Sequence, residues 1–392
     1  MKYDFDKIID RTGTNAIKYS VLKERYGRDD LLPLWVADLD FETPDFITEA
    51  IHRRLDHSLF GYTTVPDELW STVAKWIEDH HAWKVRREWL TYIPGVMKGI
   101  GAVVNVFTKE DEKVIIQPPV YYPFRLTPQG NGRKVVFNPL KRVADGSYKI
   151  DFENLAQVTD DRCRVLLLSN PHNPAGICWD RDTLTRLADF CYEHNIIVVS
   201  DEIHCDLTLF GNRHIPFATI SDKAEEISIL FGAPSKTFNT AGIVNSYAIV
   251  PNDTLRRKFY TWLDANELSE PHLFAPIAMI AAFSKGEEWR RQLIRYIEEN
   301  ILFVEDYLSR NIPQIKPLRP QATFLVWLDC CSLGLDHKGL IDLFVNKAHL
   351  ALNDGDMFGT GGKGFMRLNV GTPRALLCKA LDQLSEAVRT II

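Results

Sequence analysis

The stretch Ile196–His204, IIVVSDEIH, decides how this chain folds. Its first four residues are apolar and β-branched at successive positions. A strand with one face in water alternates apolar and polar residues, whereas one covered on both faces does not. This run therefore reads as an interior strand of a layered domain. It stops at Ser200, where Asp201, Glu202 and His204 follow. Runs of the same kind stand at Lys113–Gln117 (KVIIQ), Val165–Ser169 (VLLLS) and Ile227–Phe231 (ISILF).

Helical patterns separate these runs. Thr43-Pro44 reads as an N-cap followed by proline at the first helical position, with Ile47, Ile51 and Leu55 recurring behind it. Leu184, Leu187, Ala188 and Cys191 repeat at helical spacing on a segment ending near His194-Asn195. Alternating strand and helix predicts an α/β fold with a mainly parallel sheet and helices on both faces. From Glu287 the pattern changes. A long helix carries Trp289, Leu293, Ile297, Ile301, Val304 and Leu308 on one side. After it come a proline-rich turn (Pro313, Pro317, Pro320), a strand at Thr323–Leu328, a helix from Lys338, a strand at Gly364–Val370 and a last helix. The expected division is a large domain over 49–287 and a smaller α+β domain built from 1–48 and 288–392.

Composition bounds the function. The chain has 392 residues, 45% hydrophobic and 25% charged, enough for two domains without disulfide or metal staples. A formal net charge of -6 argues against a nucleic-acid binder, whose footprint would be basic. The seven cysteines include no Cys-x-x-Cys pair, which fits reduced, mostly buried thiols in a cytosolic protein; Cys330-Cys331 is expected to be buried. The N-terminal stretch lacks the apolar core of a signal peptide, and Phe274–Phe283 falls short of the ~20 residues of a membrane span. A cytoplasmic protein is expected.

In open α/β sheets ligands bind at the carboxyl ends of the strands. Three strand ends here carry functional groups: Asn170–Gly176 (NPHNPAG), Asp201-Glu202-Ile203-His204, and Ser235-Lys236. Each alone has an ordinary reading as a turn, a solvated strand end or a loop cation. Together an amide, a carboxylate and an amine suit a lysine that forms a Schiff base with a pyridine aldehyde, pyridoxal 5'-phosphate. Asp201 would keep the ring nitrogen protonated, since an opposite charge favours the cationic form. Asn173 and His204 would donate to the phenolate oxygen. The Pro94-Gly95 turn opens a helix near Val96 whose N-terminus suits the phosphate. Tyr121, in PVYYPF, would lie on the ring.

The motifs NPHNPAG, DEIH, PSKTFNTAG, PVYYPF and MRLNVG resemble those of the fold-type-I pyridoxal-phosphate enzymes of the aspartate aminotransferase superfamily. PLWVADLDF (Pro33–Phe41), FGYTTVPDELW (Phe60–Trp70), DEIHCDL (Asp201–Leu207) and SKTFNTAG (Ser235–Gly242) are most similar to its MalY/PatB branch of cystathionine β-lyases, over nearly the whole chain. The resemblance implies a mainly parallel sheet of the seven-stranded type with a small α+β domain, and a homodimer. It implies Lys236 as the cofactor-bearing lysine, Asp201 as the ring-nitrogen partner and Asn173 as the phenolate donor, with His204 where many aminotransferases have tyrosine. It also implies Tyr121 as the stacking ring, and Val96, Met97 and Ser235 at the phosphate. Tyr62 would reach the neighbouring subunit's phosphate, making it, with Lys236 and Tyr121, part of the catalytic set. Arg367 would clamp the substrate carboxylate, with Asn173 and Ala37 beside the substrate. Two positions depart from the superfamily pattern: Val244 stands where many members have a phosphate-binding arginine, and Ala233 where serine is frequent. Lys98 and His172 are expected to be structural or to support the site residues from behind. The implied activity is α,β-elimination from cystathionine or another S-substituted cysteine, giving a thiol, pyruvate and ammonia. The alternatives are an aminotransferase, or a MalY-like protein with an added regulatory role.

Overall fold

The apolar run at Ile196–Ser200 supplies the central strand of a seven-stranded sheet. The structure, a computed structural model, describes residues 3–144 and 146–391. The strands are β1 (Leu90–Ile93), β2 (Lys113–Ile116), β3 (Lys134–Phe137), β4 (Cys163–Ser169), β5 (Ile197–Asp201), β6 (Ser228–Gly232) and β7 (Ser246–Ile249), in the order β1-β7-β6-β5-β4-β2-β3. All neighbours are parallel except β7, which runs antiparallel to both β1 and β6.

Successive side chains of a strand point to opposite faces, so a continuous apolar run feeds two cores. Val165, Leu167 and Val199 pack with Ile100, Val103 and Val104 of the helix Val96–Phe107 and with Phe259 and Leu263 of the helix Asp253–Ala265. Leu166, Leu168 and Val198 pack on the other face with Leu184, Leu187, Ala188 and Cys191 of the helix Arg181–Glu193. Helices α1 (Asp45–Leu55) and α2 (Asp67–His81) precede these; α3 is Val96–Phe107, α4 Arg181–Glu193 and α5 Asp253–Ala265. Each fully buried leucine or valine contributes at most roughly 1.5–3 kcal/mol relative to exposure. A charge at any of these positions would break the layering.

The C-terminal unit is an antiparallel four-stranded sheet, β8 (Lys316–Leu318), β9 (Leu325–Asp329), β10 (Asn353–Asp354) and β11 (Phe365–Asn369), in the order β8-β9-β11-β10. Helix α6 (Glu287–Asn311) buries the side anticipated from Trp289 to Leu308, and helix α7 (Arg374–Arg389) closes the chain. The N-terminal segment joins this unit: Leu32-Pro33 pairs in parallel with Leu350-Ala351.

Local expectations shift in three places. Helix α1 starts at Asp45 with extended Pro44 as its N-cap, and the Thr43 hydroxyl donates instead to the Asn239 carbonyl. The strand expected from Thr323 begins at Leu325, because Thr323 has φ 73°, which no strand residue adopts. Cys330 is buried as expected, but Cys331 is exposed, since it opens the turn that follows β9.

One buried ion network ties the N-terminal segment down. The fully buried Lys18 ammonium lies 2.6 Å from Asp40 and 3.4 Å from Asp38, and Arg11 pairs with the same two carboxylates at 3.0 and 2.7 Å. Removing one partner from such a set strands a buried charge, at a cost of about 3 kcal/mol. Lys18→Met should therefore lower the urea midpoint by that equivalent, and Lys18→Met/Asp40→Leu should recover part of it. A single variant with the parental midpoint would contradict the assignment.

Candidate active site

The register of β4, β5 and β6 builds the site. Ser169 lies opposite Asp201 and Asp201 opposite Phe231, so three chain exits emerge at one sheet edge. They open on a cavity of about 380 Å³. Its wall includes Ala37, Val96, Met97, Tyr121, Asn173, Asp201, His204, Ser235 and Lys236, which are nine of the expected site residues.

Lys236 follows the last residue of β6 by four positions and its Nζ donates to the Ala37 carbonyl at 2.7 Å. Its pKa is pulled down to about 8, chiefly by burial and further by Arg367, against the opposing pull of Asp38 and Asp201. Near neutral pH a usable fraction of this amine is an unprotonated base. Asp201 is held on its partner strands by the ladder, and its Oδ1 accepts from the Ile203 amide at 3.1 Å. Burial pushes its pKa up to about 6, so a cation beside it would be welcome. Strand alternation sends Glu202 the other way, where it accepts from Ser200 and the Phe217 amide and pairs with His214 at 2.8 Å.

Arg367 of β11 reaches the site from the small domain. Its guanidinium donates to Asn173 Oδ1 at 3.0 Å, Asn353 Oδ1 at 2.8 Å and the Trp35 carbonyl at 2.9 Å. It is 4% exposed, and among the described residues it has no carboxylate partner. Burial lowers its pKa to about 10. A buried cation without an anion is costly, so this one asks for an anionic ligand. The bond to Asn173 Oδ1 also sets that amide's orientation, leaving Nδ2 free to donate. Arg367 is not itself on the cavity wall; it stands behind Asn173.

The remaining expected residues divide. Tyr121 lines the cavity, its backbone N–H bonded to the Asn173 carbonyl at 3.1 Å and its phenol pKa raised to about 12 by burial. His204 is buried with Nδ1 unpartnered, and burial holds its pKa far below the usual value, so the ring is neutral. Val96 and Met97 form the first turn of α3, which starts at Gly95 (φ 110°) without any side-chain cap. Tyr62 is fully exposed and absent from the cavity wall.

The wall also contains residues the sequence reading did not select: Ser169, Ile203, Ala241, Asn245, Ser246 and Lys98. Asn245 immediately precedes β7 and Ser246 opens it; this strand is not among those expected from the sequence. The apolar SYAI run after the lysine motif was the available signal.

A fit to pyridoxal phosphate is visible in unsatisfied groups. An unpartnered histidine nitrogen, a carboxylate raised by burial, an uncapped helix start and a buried guanidinium without an anion all face what that molecule and an amino acid would supply.

Comparison with known proteins agrees with this geometry. The sequence model of the family described as aminotransferase class I and II matches residues 29–384. Cystathionine β-lyase PatB of Bacillus subtilis is 43% identical over 98% of this chain and 100% of its own. Protein MalY of Escherichia coli is 33% identical over 99% of this chain and 100% of its own. Among solved structures, cystalysin from Treponema denticola, which contains a pyridoxal 5'-phosphate cofactor, superposes with a TM-score of 0.96 at 33% identity, covering 100% of both chains.

Proposed function

We propose, on the premise that this chain belongs to the aminotransferase class I and II family, that it is a pyridoxal-phosphate-dependent carbon–sulfur β-lyase. It would convert cystathionine and related S-substituted cysteines, with one water consumed, into a thiol, pyruvate and ammonia. Support comes from the relative named cystathionine β-lyase at 43% identity over nearly the full length. The observation that carries the chemistry is Lys236, a lysine with a lowered pKa at the sheet edge, beside Asp201 and in front of the anion-seeking Arg367.

Pyridoxal phosphate bound to Lys236 would supply a sink for the electron pair left at the substrate's α-carbon. The protein's part is binding, orientation and proton transfer. Asp201 would hold the proton on the ring nitrogen, while Asn173 Nδ2 and neutral His204 would serve the phenolate oxygen. Tyr121 would pack on the ring. Arg367, with Asn173 and Ala37, would fix the substrate's carboxylate end, a planar task suited to a guanidinium. Lys236 Nζ would take the substrate's α-proton as general base.

Purified, cofactor-loaded protein given L-cystathionine should yield pyruvate and a free thiol in equal amounts. Failure on every S-substituted cysteine tested would sink the lyase reading. The family's description keeps transamination as the second reading. It predicts conversion of the cofactor to its amine form by amino acids without a β-leaving group.

The lowered pKa of Lys236 makes a further expectation. Uptake requires the unprotonated amine, so pyridoxal phosphate should enter the cofactor-free protein faster as pH rises through about 8 and then level off. The growth of visible absorbance after mixing measures this; a rate that falls over the same range contradicts it.

The same reading makes the protein a homodimer in which Tyr62 enters the partner's site. Its support is the apolar stretch around Tyr62, with Leu59 72% and Phe60 59% exposed on one protomer. Cysteines that are all unpaired favour the cytoplasm as its compartment.

A further inference from the structure

Val244 stands where many superfamily members place an arginine on the cofactor phosphate, and the structure indicates what takes over. Among the described residues two cations line the cavity, Lys236 and Lys98. Lys236 is committed to the cofactor's carbonyl carbon, which leaves Lys98 as the lining cation. Lys98 is the third residue of α3 and is exposed. Among the described residues its ammonium makes no hydrogen bond or ion pair. Helix α3 is long enough, at 12 residues, to present a full positive N-terminal end, and no side chain caps it.

A second observation points to the same place from another strand. Asn245 is 1% exposed, lines the cavity, and has Nδ2 buried without an acceptor. Its other amide atom is engaged, because Thr240 Oγ1 donates to Oδ1 at 3.3 Å. The orphan is therefore a donor. Ser246 pairs antiparallel with Ile93 at the end of the ladder, so Asn245, one residue before it, lies next to the Pro94-Gly95 turn that follows Ile93. A Cβ built on Gly95 would lie 3.9 Å from Val244 Cγ1, which confirms that the two segments meet there. An unpartnered buried donor is thus set against an uncapped helix start, and an anion satisfies both.

We propose that Asn245 Nδ2 and the Lys98 ammonium bind the cofactor's phosphate, doing together what arginine at position 244 does in relatives that have one. Asn245 supplies direction and Lys98 supplies charge, alongside the Val96 and Met97 amides and Ser235. This rests on the reading of the cavity as a pyridoxal-phosphate site.

The test compares two ligands by equilibrium dialysis against the cofactor-free protein. Pyridoxal 5'-phosphate carries the phosphate; pyridoxal presents the same aldehyde and ring without it. Asn245→Ala and Lys98→Ala should each weaken pyridoxal-phosphate binding by about tenfold or more, the worth of a hydrogen bond involving a charged group. Pyridoxal binding should be unchanged in both. Lys98→Arg, which keeps the charge, should restore most of the affinity lost in Lys98→Ala. Inorganic phosphate should compete with pyridoxal phosphate in the wild type and compete less well in the variants. Equal weakening of both ligands would overturn the proposal, since it would mean a general structural role. Unchanged pyridoxal-phosphate binding in the variants would overturn it as well, while leaving the cofactor reading intact. A wild type that binds neither ligand would overturn the cofactor reading itself.

Discussion

Lys236→Ala should abolish lyase turnover and remove the visible absorbance of the lysine-bound cofactor. Two roles converge on one nitrogen: covalent attachment and removal of the α-proton. Positioned general-base catalysis alone is worth roughly 10²–10⁴-fold in rate, and loss of attachment adds to that. The fold should survive. Lys236 makes a single hydrogen bond, to the Ala37 carbonyl, and its side chain opens on the cavity. The far-ultraviolet circular dichroism and the melting profile of the cofactor-free variant should therefore match those of the cofactor-free parent. Arginine at this position would keep a cation but, as a guanidinium that stays protonated, could not act as base, so Lys236→Arg should be equally inactive. Retained pyruvate release from cystathionine in either variant would remove Lys236 from the chemistry.

Arg367→Met should raise KM for cystathionine by roughly 10²–10³-fold, because truncating one partner of a buried charge pair costs about 2–5 kcal/mol. The stability effect should run the other way. Arg367 is buried without a carboxylate, and burial already lowers its pKa to about 10. Removing an uncompensated buried charge recovers its desolvation penalty, which offsets the loss of its bonds to Asn173, Asn353 and the Trp35 carbonyl. The cofactor-free variant should thus melt at or above the parental temperature while binding substrate far more weakly. Part of the kinetic loss should come through Asn173, whose amide orientation Arg367 sets. Arg367→Lys keeps the charge but not the two-pronged geometry, so it should recover little. A parental KM in Arg367→Met would move the carboxylate clamp elsewhere.

The two residues illustrate what was legible in the chain and what was not. Asp201, Asn173 and Lys236 could be brought to one site from sequence, because each directly ends or follows an apolar run of a parallel sheet. In such a sheet the carboxyl ends share an edge, and the order of motifs then supplies the roles. Arg367 could be nominated only through its motif. Nothing local distinguishes an arginine buried on an interior strand such as β11 from a solvated one. Its burial against Asn173 arises from docking of two units 194 residues apart in sequence. Asn245 was missed for a related reason: β7 is the one antiparallel strand of the sheet, outside the strand–helix alternation that organised the reading. Tyr62 remains a residue whose role depends on a second copy of the chain.

By itself, then, IIVVSDEIH and its sister runs determined a layered α/β fold. An uninterrupted β-branched run can be buried only between two helical layers, and its polar end must then be where the sheet meets solvent or a ligand. The tertiary structure alone decided which groups there are left unsatisfied. Hydrogen-bond partners and solvent access depend on what the fold packs alongside, as with the Arg367 guanidinium, His204 Nδ1 and Asn245 Nδ2.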